Sequence, residues 1–361
     1  MPCVAVGIER SHEHTGKTRL GPKRLPSSPS NSLNSTNSTN SLNSLNSLYS
    51  FFLFLSLAQP LHAWGPLGHS AIAAIAERHL SPTAQSHVAT LLAEGHDTDL
   101  PSVANWADEV RAAASGHGPL SDDAEAAAFN AKFPTNALWH FVDLPLGAED
   151  YREVVAYTSV NDVVHAIKRC IAVLEQAERR PDDFTKPQAL RLLVHFVGDI
   201  HQPLHCGTGF YDLSDLSHPV LITDPQQCNG KPNDRGGNDL FFGTEPTQEL
   251  HALWDDALVF ALRNSGDYHS LAEWLESTQS VGSTTGDYHT WPEQWAIDSV
   301  QQARKAYQNI QLDAARTDGQ RLRITIQLPT AYIDENRSLA ATQLAKAGIH
   351  LAQLLNSLAW R

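Results

Sequence analysis

Cysteine, positive charge and long apolar runs are all scarce in this chain of 361 residues. Its 26 Lys and Arg are outnumbered by 40 Asp and Glu, giving a net charge of -14, which excludes a broad basic face that wraps duplex nucleic acid. A confined phosphate-handling site is still open to it, because bound metal ions add positive charge that composition does not count. No apolar run approaches the roughly 20 residues of a spanning helix, which removes multi-pass membrane proteins. Glycine (21) and proline (20) show no excess, which removes collagen-like chains. With 42% apolar and 18% charged residues there is material for one large core or two modest ones, and bulk disorder is excluded.

The first 63 residues differ from the rest. Asn31 to Leu48 repeats an Asn-Ser-Leu or Asn-Ser-Thr triplet, too polar to bury a core, and reads as disordered. The apolar segment Leu48 to Ala58 then runs into Gln59 to Ala63 and resembles a secretory signal with a small-residue cleavage site before Trp64. Lys17, Arg19, Lys23 and Arg24 precede it; an uncleaved anchor is the alternative. Cleavage makes the remainder more acidic, sends it out of the cytoplasm as a secreted or periplasmic protein, and leaves Cys170, Cys206 and Cys228 where disulfides can form. Cys206 and Cys228 bracket a stretch rich in Asp, Pro, Gly and Asn and are the expected pair, while Cys170 sits in an apolar helical pattern and reads as a buried thiol. A bridge from Cys170 to one of the other two is the alternative.

Residues 64–361 read as one mostly helical, all-α domain. Apolar spacing of three and four recurs in Ala71–Leu80, Asn161–Glu178, Pro187–Gln202, Pro246–Arg263, Pro292–Ile310 and Glu335–Leu358. Pro187, Pro246 and Pro292 suit first turns, and Ser81-Pro82 opens a further short helix. Only Arg321–Leu328 alternates like a strand, after a Thr-Asp-Gly turn signal, so at most a small β-hairpin is expected.

Fifteen of the 18 histidines lie after residue 63, far more than a core needs, and several fall beside carboxylates. In RLLVHFVGDIHQPLHC, His195 and Asp199 are four apart and project from one helix face, and Pro203 then ends the helix and brings His205 round. His251 and Asp255 repeat the spacing in ELHALWDD. Two facing helices that each offer His and Asp form the metal geometry of a bundle core. A carboxylate on the apolar side of a helix costs several kcal/mol unless paired, and ligation removes that cost. Asp108 and His140 are further candidates. If cleavage frees Trp64, its α-amine and carbonyl become a chelating pair near His69. Asn336-Arg337-Ser338 is a glycosylation acceptor pattern.

Taken together, WGPLGH at Trp64–His69, WADEVR at Trp106–Arg111, WHFVD at Trp139–Asp143, HFVGDIHQPLH at His195–His205, GGN at Gly236–Asn238 and HALWD at His251–Asp255 resemble the zinc-dependent, single-strand-specific nucleases of the S1/P1 type. A terminal QLAKAGIHLAQLLN, Gln343–Asn356, is similar to that family's last helix. The superfamily also contains bacterial zinc phospholipase C.

The resemblance implies three zinc ions. One would be held by Asp108, His140, His195 and Asp199, a second by the amine and carbonyl of Trp64 with His69 and a shared Asp199, and the third by His205, His251 and Asp255. It implies metal-assisted hydrolysis of single-stranded DNA and RNA to 5′-phosphate products, with 3′-nucleotidase activity, and no stable protein partner. Asp108 and Arg111 take catalytic roles in it, Phe141 stacks on a base, Asp143 accepts from a base edge and Asn238 lines the same pocket. His201, His79, His87, His165 and His350 match no ligand position and read as surface or packing residues. A phospholipase C acting on choline lipids is the nearest rival, disfavoured by the short spacing from Trp64 to His69 and by Asp255 where that branch has Glu. A non-catalytic zinc-binding protein is the other, and it would have no need of Arg111 or Phe141.

Overall fold

The computed structural model describes residues 64–176, 180–245, 248–262, 267–318 and 321–361. The expected leader and its cleavage site, residues 1–63, lie outside them. Helices dominate the described residues: α1 (Gly65–Arg78), α2 (Pro82–Glu94), α3 (Leu100–Val103), α4 (Trp106–Ala113), α5 (Ala124–Lys132), α6 (Val163–Leu174), α7 (Lys186–His201), α8 (Pro225–Cys228), α9 (Leu250–Ala252), α10 (Leu258–Ala261), α11 (Tyr268–Thr278), α12 (Trp291–Ala306) and α13 (Tyr332–Ser357). Between them run β1 (Leu144–Pro145), β2 (Gly207–Thr208), β3 (Phe210–Asp212), β4 (Val220–Ile222), β5 (Leu240–Phe241), β6 (Gln311–Asp318) and β7 (Arg321–Gln327). The fold is the mostly helical domain expected from the periodicity.

α7 is the axis of the bundle. Thr185 caps it by accepting from the Gln188 amide, and the Gln188 side chain returns the bond, with Pro187 in the first turn. Every residue from Ala189 to His201 is buried, because α6, α1, α4, α12 and α13 pack around it. A helix apolar on all sides needs such enclosure. His195 and Asp199 therefore sit in the driest part of the molecule, both with no exposed surface.

Three expectations are corrected. Of the helix expected over Pro246–Arg263, Pro246, Thr247 and Arg263 lie outside the described residues, and the helix begins only at Leu250, because the Phe242 amide donates to the Gln248 carbonyl at 3.0 Å and Glu249, extended, bridges Phe241. It is then interrupted by a π turn at Leu253–Ala257 before α10. The strand at Arg321 forms its hairpin with β6 but also pairs in parallel with β5, giving a three-stranded sheet in the order β5-β7-β6. Cys206 and Cys228 are not bonded to each other; both are free and buried. The Cys206 thiol donates to the Ile200 carbonyl at 3.3 Å and the Cys228 thiol to the Ile222 carbonyl at 3.7 Å, so each is held within its own packing environment. Cys170 is buried in α6, as its pattern indicated. Asn336 is also buried inside α13, where its amide donates to the Tyr332 carbonyl at 2.8 Å, so it is closed to glycosylation in the folded protein. Among the described residues no helix is long and apolar enough to cross a membrane.

Candidate metal centre and substrate cleft

Seven elements or turns deliver the candidate ligands: His69 from α1, Asp108 from α4, His140 from the turn before β1, His195 and Asp199 from α7, His205 from the 3-10 turn that Pro203 opens, His251 from α9 and Asp255 from the π turn. They meet in three groups whose ligand atoms lie close enough to share an ion: Asp108, His140 and His195; His69, His195 and Asp199; and His205, His251 and Asp255.

The first two groups share His195, and Asp199, a member of the second, also reaches into the first. Its Oδ2 lies 3.0 Å from His140 Nδ1 and 3.3 Å from His195 Nε2, while its Oδ1 lies 3.4 Å from His69 Nε2. Asp108 Oδ1 is 3.6 Å from His140 Nδ1 and 3.7 Å from His195 Nε2. In the third group His205 Nε2 and His251 Nε2 stand 3.2 Å apart, with Asp255 Oδ2 3.3 Å from the latter. Ligands about 2.05 Å from a tetrahedral zinc are separated by about 3.3 Å, so these spacings fit such an ion.

The hydrogen bonding supports the same fit. Nδ1 of His205 donates to the His140 carbonyl and Nδ1 of His251 to the Gly236 carbonyl, each at 2.7 Å. Their facing Nε2 atoms are then two lone pairs with no proton between them, which a cation satisfies. Both ring nitrogens of His69, Asp199 Oδ1 and Asp255 Oδ2 are buried without a hydrogen-bond partner, a costly arrangement unless a metal completes it. Gly198 makes room for His69: a Cβ there would come 2.6 Å from its Nδ1. Trp64, fully buried, donates from its indole to the Gly198 carbonyl at 3.0 Å, and its own carbonyl accepts from Gly68.

Proton affinities follow from burial and charge. Burial, with His195 nearby, lowers His69 to about 4; burial, with Arg111 nearby, lowers His140 to about 4; and burial, with His205 nearby, lowers His251 to about 3. These rings are neutral, as ligation requires. Burial also opposes a charged His195, but Asp199 and Asp108 outweigh it and raise it to about 9. The negative field that does this is the one that would draw in a cation. Burial raises Asp255 against the hydrogen bond from Gln202, and the charges of Asp256, Asp108 and Asp199 add to it.

The third group opens into a cleft of about 200 Å³ lined by Arg111, Phe141, Asp143, Leu204, His205, Arg235, Asn238 and His251. Every sequence-derived substrate residue is there. Arg111 Nη2 lies 2.7 Å from Asp108 Oδ1 and so links the cleft to the deep ligands. Burial, then the charge of Asp234, lifts Asp143 to about 7.

Sequence reasoning missed the frame around Asp234. This fully buried carboxylate accepts from Tyr211 at 2.7 Å, Tyr307 at 2.9 Å, Thr208 at 2.9 Å and the Gly237 amide at 3.0 Å. It holds a loop in which Arg235, Gly236 and Gly237 all have positive φ (53°, 62° and 84°). A Cβ on Gly236 would lie 2.0 Å from the Leu204 carbonyl, so only glycine fits where the Gly236 carbonyl must meet His251. Arg235 and Gln202, whose amide donates to Asp255 Oδ1 at 2.7 Å, were missed as well. The adjacency of Asp-Arg to the GGN triplet was the only available signal for Arg235.

A family model described as S1/P1 Nuclease matches residues 64–359. The chain is 24% identical over 316 residues to Nuclease P1 of Penicillium citrinum, covering 82% of this chain and 97% of that protein. It is 25% identical to Nuclease S1 of Aspergillus oryzae (84% and 95% covered) and 26% identical to Endonuclease 4 of Arabidopsis thaliana (81% and 88% covered). With a match over nearly the whole described region and three buried His/Asp groups able to hold metal, the chain belongs to the S1/P1 nuclease family, a family of metal-dependent phosphodiester hydrolases.

Proposed function

We propose that the protein is a zinc-dependent endonuclease that hydrolyses single-stranded DNA and RNA to 5′-phosphate products and also acts as a 3′-nucleotidase. The observation that carries this reading is the deep ligand groups joined through Asp199, with a third group facing an Arg- and Phe-lined cleft. Three zinc ions are assigned: to Asp108, His140, His195 and Asp199; to His69, Asp199 and the amine and carbonyl of Trp64; and to His205, His251 and Asp255. Bound zinc supplies Lewis-acid polarisation of phosphate oxygens and a water acidic enough to attack at neutral pH.

The chain's own residues do the remainder. Arg111, held by Asp108, neutralises charge growing on the phosphate. Phe141 stacks on the base next to the scissile bond, and Asp143 and Asn238 meet its edge. Stacking tolerates every base, which suits weak sequence preference. A base paired in a duplex has to unstack before it enters so narrow a cleft, and single-strand preference follows. In this reading residues 1–63 are a disordered leader and signal peptide lost on export, and 64–361 form the nuclease domain.

The test is to express the full chain in a secreting host, measure its zinc, and identify by mass the products released from single-stranded DNA, with phosphatidylcholine assayed alongside. Nucleotides carrying 5′-phosphate, abolished by chelator, are expected. Phosphocholine without nucleotides would move the protein to the lipase branch, and zinc without either product would make it a binding protein.

A further inference from the structure

The cleft beside the third ligand group has a neighbour. A second cavity, of about 300 Å³, is lined by Arg111, Ala114, Asn130, Pro134, Asn136 and Ala137, so Arg111 is a wall of both. The other walls come from the end of α4, from α5 and from the 3-10 turn Asn136–Leu138, which leads into His140 and Phe141.

Asn136 is 6% exposed and its amide is fixed in orientation. Its Nδ2 donates to Asn130 Oδ1 at 2.8 Å and to the Phe133 carbonyl at 2.7 Å, while Asn130 Nδ2 donates to the Val110 carbonyl, next to Arg111, at 2.8 Å. Both N–H groups of Asn136 are thereby used, and Oδ1 is left as an acceptor that no described residue satisfies. Stapling α4 to the turn needs only the two amide nitrogens and Asn130 Oδ1, so packing leaves Asn136 Oδ1 without a task. Ala114, Pro134 and Ala137 are apolar, and among the described residues no acid lines the cavity. Apolar walls, one aimed acceptor and a cation at the boundary match a nucleoside joined to a phosphate, which offers flat ring faces, O–H or N–H donors and an anionic link.

Hydrolysis to 5′-phosphate products breaks the bond from phosphorus to O3′, and a polynucleotide carries a nucleoside on either side of that phosphate. A 3′-nucleotide carries only the O3′-linked one, so an enzyme that accepts it holds that nucleoside against Phe141. The O5′-linked nucleoside then departs from the opposite side of the phosphate that Arg111 neutralises. We propose that the cavity beyond Arg111 is the subsite for this O5′-linked nucleoside, with Asn136 Oδ1 accepting a hydrogen bond from its sugar or base. This rests on the nuclease and 3′-nucleotidase reading of the cleft.

The test compares the zinc-loaded protein with Asn136→Ala and Ala137→Trp variants on a thymidine dinucleotide and on thymidine 3′-phosphate, which has nothing to place in the cavity. Asn136→Ala should raise KM for the dinucleotide by about 3- to 10-fold, the worth of one hydrogen bond, with KM and kcat for the 3′-phosphate unchanged. Ala137→Trp, at an exposed position, fills the cavity while leaving both asparagines in place, and should raise the dinucleotide KM at least as much; it guards against misfolding of the first variant. Dinucleotides with deoxyadenosine or uridine in the second position add a base amine or a ribose 2′-hydroxyl, and the larger penalty identifies the donor that Asn136 meets. A dinucleotide KM unchanged in both variants, or raised equally for both substrates, overturns the subsite and leaves the nuclease reading standing. Wild-type protein that cleaves neither substrate overturns both.

Discussion

The deep ligand groups and the cleft-facing group use the same residue types but are built in opposite ways. His195 and Asp199 stand on successive turns of a regular, fully buried helix, with His69 brought onto that helix through Gly198. His251 lies just before a π turn and Asp255 within it, and His251 is aimed by a carbonyl in a loop of three consecutive residues with positive φ. Regular structure fixes the deep pair, whereas the third group depends on irregular backbone held by Asp234 and Gln202. Bistable or adjustable geometry belongs where substrate enters, and π turns recur at such sites.

This contrast predicts a graded set of losses. Asp199→Asn removes the carboxylate that the proposed assignment shares between the two deep ions, and losing several kcal/mol of transition-state stabilisation lowers kcat by about 10³-fold or more. Metal analysis should then show the deep ions lost and the third retained. Asp255→Asn is expected to remove only the third ion, lowering activity by about 10²-fold; loss of all metal from this variant would dissolve the distinction. Asp234→Asn and Gln202→Ala leave every ligand in place but free the loop and Asp255, so third-site affinity or activity should fall about 10 to 100-fold while the deep ions stay bound.

Smaller effects bear on stability. Gly198→Ala pushes a methyl group into His69 and should cost about 1–3 kcal/mol, read as a lowered Tm with weakened deep-site metal. In metal-free protein His195 is raised from 6.5 to about 9, because Asp199 and Asp108 overcome the effect of burial. Its stabilising contribution is complete below 6.5 and lost as pH rises through about 9. Chelator-treated protein should lose Tm across that interval, and metal-loaded protein should not, since the ion replaces the proton. A flat apo profile would remove His195 from the deep field.

What could be read in the sequence follows the same division. The i, i+4 spacing of His195 and Asp199 inside an apolar helical run located the deep site because helix geometry converts spacing into proximity. The same rule found His251 and Asp255, but only because the π turn still leaves them 3.3 Å apart; Gln248 and Glu249, expected in the helix, are outside it because Glu249 pairs with β5. The Asp234 frame was illegible because its partners come from two distant stretches, Thr208 with Tyr211 and the far Tyr307, with no periodic signature to link them. The expected Cys206–Cys228 bridge failed for a related reason: bracketing a loop says nothing about which way each thiol points.

The most direct measurement is anomalous diffraction at the zinc edge from crystals of the exported, metal-loaded protein. The account predicts three peaks, two of them sharing Asp199 and the third among His205, His251 and Asp255 beside the cleft. A peak at the cleft with none at Asp199, or a single ion serving both deep groups, would contradict it.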